Sequence, residues 1–153
     1  MSNPNTRLAE LGITLPKPAA PIANYLPFVR SGNMVFVSGQ IAAGPDGVVL
    51  GTLGKDMDIA AGKLAARLCA INLLAQIATA LDDDLSRVRR VVRLGGFVQT
   101  TPDFTDIPHI INGASDLMVE VFADAGRHAR FAVGCSSLPL GTAVEIDGMF
   151  EVD

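Results

Sequence analysis

The chain has 153 residues, 49% hydrophobic and 18% charged, with a mean hydropathy of +0.36; that length fits one domain with a proper core. The net charge is −4, and no lysine- or arginine-rich run offers a phosphate backbone a track, which weighs against nucleic acid as the main partner. Two cysteines cannot form a disulfide framework, and Cys69 and Cys135 both sit in apolar runs where a buried thiol is expected.

In chain order, residues 4–11 read as a short helix, with Pro4 in its first turn and Gly12 as a stop. The segment PKPAAPIAN that follows is proline-rich and extended, an arm, so residues 1–23 are set apart from a single domain over 24–153. Leu26–Ser31 and Met34–Gln40 flank Gly32-Asn33 and predict a β-hairpin. From an N-cap at Asp58, Leu64, Leu68, Ile71, Leu74, Ile77 and Leu81 recur at helical spacing and predict a long helix with that face buried. Arg67, Asn72 and Gln76 interrupt its apolar run, so it is a core helix and no membrane span is expected.

Val88–Thr100 reads as a strand, with Gly95-Gly96 marking a bulge or a close backbone approach, and its cluster Arg87, Arg89, Arg90 and Arg93 as a solvated edge. A second helix buries Ile107, Ile110, Ala114, Leu117, Met118 and Val121, and ends at Gly126. Strands near Ala129–Ser136 and Thr142–Val152 close an α+β order of ββαβαββ. Helices are expected on one face of a mixed sheet; the greasy composition suggests that another copy of the chain covers the other. The N-terminus lacks a charged start followed by an apolar stretch, so no secretory signal is read and a cytoplasmic location is expected.

With two histidines and neither His-x-x-x-His nor Cys-x-x-Cys, no metal site is expected; no Gly-rich phosphate loop or G-x-S-x-G occurs, and no cofactor is signalled. In the last two strands Arg130, Ala132 and Gly134 share one face, and Glu145 and Asp147 share another. Small residues beside Arg130 leave room for a ligand. From the residues alone, Arg130 and Glu145 are either solvated charges or a working pair. A hairpin centred near Leu138–Leu140 would set Glu145 opposite Val133, roughly 10 Å from Arg130 along the strand.

The segments GNMVFVSGQI and R-x-A-V-x-x-x-x-L-P-x-G-x-x-V-E-I, in this order and spacing, resemble the RidA/YjgF family of imine deaminases, also labelled L-PSP endoribonuclease-like, in a longer YjgF-like branch. The resemblance implies a chorismate-mutase-like α+β fold and a homotrimer with clefts between subunits. It assigns the functional arginine to Arg130 and the glutamate to Glu145, and matches Tyr25, Ser38, Gly39, Asn112 and Ala132 to substrate-binding positions. Ala132 replaces the family's frequent thiol, and Phe131 a polar residue. The implied chemistry is hydrolysis of an imine or enamine acid to a keto acid and ammonia. Arg130 would grip the carboxylate, Glu145 would orient water, and no cofactor is needed. A module that binds small carboxylates without catalysis, and a ribonuclease, are the alternatives.

Overall fold

The computed structural model describes residues 3–18 and 24–153. Pro4–Glu10 forms α1: Asn3 caps it, its side chain accepting from the Asn5 amide, and the Ile13 amide closes the C-terminal turn onto Leu8. Leu8 is buried in the core, and Leu11, Ile13 and Leu15 pack against it. The expected proline-rich arm is described only in part: Pro16–Pro18 is neither helix nor strand, and 19–23 lie outside the described residues.

The hairpin forms as expected: β1 (Phe28–Ser31) and β2 (Met34–Ile41) pair antiparallel across Gly32 at φ +61. A small hairpin, β3 (Ala43–Gly44) and β4 (Gly47–Val48), follows. Then come α2 (Ile59–Ala80), β5 (Val88–Gln99), α3 (Ile107–Phe122), β6 (Ala129–Cys135) and β7 (Val144–Val152). The five-stranded sheet runs β1-β2-β7-β5-β6, with only β5 and β6 parallel. That parallel pair needs a crossover, and α3 supplies it. The last strand in sequence is therefore the central strand of the sheet.

Asp58 caps α2 through a bond from the Ala61 amide. The expected face is borne out at Leu74, Ile77 and Leu81, which are fully buried, and in part at Leu68 and Ile71, which pack against the core, but not at Leu64. Leu64 is 65% exposed, while Ala65, Ala66, Cys69, Ala70 and Leu73 are fully buried. The helix packs against both the sheet and α3; short side chains face those contacts and Leu64 is left outside. On α3 the expected stripe holds, except that Ile107 is only partly buried. Gly95 and Gly96 are close approaches rather than a bulge. A Cβ on Gly96 would meet Ile111 of α3 at 2.6 Å, and one on Gly95 would meet the Phe131 ring at 2.7 Å from the other face. The arginine cluster is an edge only locally: β5 is internal, but its pairing with β6 begins at Arg93, so Arg87 to Arg90 overhang it. Arg87 and Arg89 pair there with Asp153.

Both helices cover one sheet face. The other presents Phe36, Phe97 and Val133, each more than a third exposed.

Candidate functional site

Glu145 is the second residue of β7, between Ile41 of β2 and Phe97 of β5. Beside it the β2–β7 register slips between Val37 and Gln40: Val37 opposes Gly148 and Gln40 opposes Ile146. Ser38 and Gly39 together face one residue, a β-bulge, the kind of irregularity that re-aims side chains. The Glu145 carboxylate lies against this bulge. A Cβ on Gly39 would come within 2.6 Å of its Oε1, so only glycine leaves the space.

Ser38 fixes the bulge from behind: its amide donates to the Pro27 carbonyl at 2.9 Å and its hydroxyl to the Leu26 carbonyl at 2.7 Å. That ties down the segment carrying Tyr25, which is 64% exposed. Tyr25, Gly39 and Glu145 line one cavity of about 490 Å³. Burial pushes the Glu145 carboxyl above its ordinary value, and the like charge of Asp147 adds to the push.

Lys17, Asn72 and Gln76, not singled out as site residues in the sequence, are among the residues that line the same cavity. Asn72 of α2 donates from Nδ2 to the carbonyls of Ile41 and Ala43, at 3.1 and 2.9 Å, and so ties the helix to the end of β2. Gln76, one turn on, is 8% exposed. Two amides four residues apart on one side of a core helix are a visible signal, noted above only as an interruption of a membrane span.

Arg130 lies elsewhere. Its strand position pairs with Leu94, a core residue on the helix-bearing face, and its guanidinium rests on α3. Nη1 donates to Ser115 Oγ at 3.0 Å and Nη2 to the Pro108 carbonyl at 3.3 Å. Asn112 sits between Pro108 and Ser115 on the same stripe of α3 and is half-buried. Ala132 shares Arg130's face and packs on the core. Tyr25, Ser38, Gly39 and Glu145 are thus gathered at one place, and Arg130, Asn112 and Ala132 at another.

The terminal strands do not form the hairpin considered from sequence. β5 lies between β6 and β7, although the register is close to the one considered there, because Phe97 pairs with both Glu145 and Val133. Arg130 and Glu145 are therefore offset by about 10 Å along the strands and about 10 Å across them, and they leave opposite faces of the sheet. No small molecule touches both within one chain.

Phe131 alternates onto the helix-free face. Its ring meets Phe97 edge-on at 5.3 Å between centroids, and the Arg93 guanidinium lies 4.9 Å above it. This replacement leaves the space beside Arg130 unchanged. Cys69 is buried as expected, its thiol held up by burial. Cys135 is a correction: it ends β6 on the helix-free face and is only partly buried, because edge strand β6 has no neighbour on one side. Among the described residues no three His, Cys, Asp or Glu side chains converge as a metal site requires.

A mixed sheet with two helices on one face and a glutamate seated on a bulge define a class, and comparison names it. The family model described as "YjgF/chorismate mutase-like, putative endoribonuclease" matches residues 5–150. The chain belongs to that family. It is 46% identical over 148 residues to Protein TCP17 of Trypanosoma cruzi, covering 95% of this chain and 92% of that one. Among solved structures it resembles the protein Atu1372 of Agrobacterium tumefaciens, of unknown function, at 48% identity and a TM-score of 0.92, covering 98% of this chain and 92% of the other. A "putative endoribonuclease" from Shewanella oneidensis superposes with a TM-score of 0.93 at 32% identity, over 99% of this chain and 100% of the other.

Proposed function

We propose that the chain is a hydrolytic deaminase of reactive imine and enamine carboxylic acids, with each site shared by two copies in a homotrimer. The observation that carries this reading is the Glu145 carboxylate, half-buried and held above its ordinary protonation range in the lining of a cavity. A carboxylate tuned upward is a stronger base than an ordinary one and is suited to take a proton from water and return it. Water adds to the C=N carbon and loses a proton to Glu145. Glu145 returns that proton to the nitrogen, giving a carbinolamine. It then takes the hydroxyl proton as the C=O forms and hands it to the departing nitrogen, so the C–N bond breaks and a keto acid and ammonia leave. Arg130 of another copy supplies the bidentate grip on the substrate carboxylate, which a planar guanidinium provides and an ammonium does not. Tyr25 walls the cleft. An imine is already reactive, so modest acceleration suffices and no covalent intermediate is required.

The test is ammonia release from enzymatically generated 2-iminobutanoate. The native protein accelerates it, and Glu145→Gln lowers the rate about 10²- to 10⁴-fold, the usual worth of a general base. A Glu145→Gln protein that binds 2-oxobutyrate and releases ammonia as fast as the native one rejects the hydrolytic role and leaves a carboxylate-binding module.

A further inference from the structure

Three residues behind Arg130 form a chain of hydrogen bonds whose polarity is fixed. His128 Nδ1 lies 2.6 Å from the Gly126 carbonyl, and a carbonyl can only accept, so Nδ1 carries the proton. In the neutral imidazole Nε2 is then an acceptor. Ser115 Oγ, 2.9 Å from Nε2, donates its hydrogen there. With that hydrogen committed, the hydroxyl turns a lone pair outward, and Arg130 Nη1 donates to it at 3.0 Å. The Pro108 carbonyl holds the other terminal nitrogen. Ser115 and His128 are both partly buried, and neither lines the Glu145 cavity.

We infer that Ser115 and His128 are positioning residues that hold the Arg130 guanidinium against α3, so that its remaining N–H groups project from edge strand β6 in one orientation. The inference rests on Arg130 as the carboxylate anchor of the proposed function. An arginine side chain is long and costly to order. Anchoring both terminal nitrogens before a ligand arrives removes that cost from binding. The arrangement also accounts for His128, which lies between Gly126 and the start of β6. Its role is to orient the Ser115 hydroxyl.

The experiment has two readouts. In the ligand-free native protein, NMR signals of the Arg130 guanidinium should show hindered rotation of its terminal nitrogens. Ser115→Ala should free that rotation, weaken 2-oxobutyrate binding about tenfold, the scale of one charge-assisted hydrogen bond, and raise KM for 2-iminobutanoate while kcat stays within about twofold. Ser115→Thr, which keeps the hydroxyl, restores both. His128→Phe acts in the same direction with a smaller effect, and carries the test if Ser115→Ala fails to fold. Unchanged rotation and unchanged affinity in Ser115→Ala, or a fall in kcat with KM intact, overturn the inference. Failure of the anchor role reads differently: rotation responds to Ser115→Ala, but 2-oxobutyrate does not perturb the Arg130 signals.

Discussion

At the Glu145 end of the sheet the backbone does the placing, and at the Arg130 end side chains do. Glu145 sits where it does because a bulge and a side-chain-free residue, Gly39, make room for it. Arg130 sits on an edge strand and is held by a histidine-backed serine hydroxyl and a helix carbonyl. A carboxylate that must meet a water needs a fixed, partly dry seat, which backbone geometry provides. A long cation that must meet a ligand from another direction needs its own freedom removed, which hydrogen bonds provide. The two ends leave opposite faces of one sheet, so under the proposed function each supplies half of a site.

The largest effect that could break this division comes from mixing. Arg130→Ala and Glu145→Ala should each abolish ammonia release when pure. Refolded together in equal amounts, random assembly gives about a quarter of the sites an intact arginine from one copy and an intact glutamate from another. About a quarter of native activity should return. A mixture that stays inactive means that the two residues act in one chain or not at all. Next in size is Gly39→Ala. Its methyl group would stand 2.6 Å from Glu145 Oε1 and must displace it. Misplacing a catalytic group by about 1 Å costs on the order of 100-fold in rate, so kcat/KM should fall by that scale while the Arg130 guanidinium signals stay as in the native protein.

Much of the fold was legible because its signals are local. The Gly32-Asn33 turn, the Asp58 cap and the α3 stripe each follow from a few neighbouring residues. The α2 face was legible in part: Leu74, Ile77 and Leu81 are buried as their spacing predicts, but the exposure of Leu64 is decided by what packs around it. Strand order was not legible: β7 lies between β2 and β5 through pairings far apart in sequence. That long-range fact separates Arg130 from Glu145. Alternation correctly placed Arg130 with Ala132 and Gly134, away from Phe131. Which sheet face each set occupied needed the register.

Phe131 sharpens the comparison from the other side. It neighbours Arg130 in sequence but points away, against Gly95, Phe97 and Arg93. Phe131→Ser should lose the aromatic edge contact, about 1 kcal/mol of stability, and lower Tm accordingly. The dissociation constant for 2-oxobutyrate should stay within about twofold, as for sites that share no partner. A large loss of carboxylate affinity would show that the faces communicate through β6.

The smallest effect is electrostatic and belongs to the Glu145 end. Burial is the larger cause of its raised pKa and the Asp147 charge, two residues along the same strand face, is the second. Both favour the protonated acid, and catalysis needs the base, so activity should fall as pH drops through a range above that of an ordinary carboxylate. Asp147→Asn removes the second cause and leaves the first. The acid limb of the kcat/KM profile should then move to lower pH without reaching the ordinary range. Added salt should move the native profile in the same direction, because screening weakens Asp147 but not burial, and should leave the Asp147→Asn profile nearly still. If neither change moves the limb, a charge from the second copy governs Glu145 in the assembled site. Arg130 is the candidate for it, since a guanidinium close enough to share a substrate would stabilise the ionised carboxylate and offset Asp147.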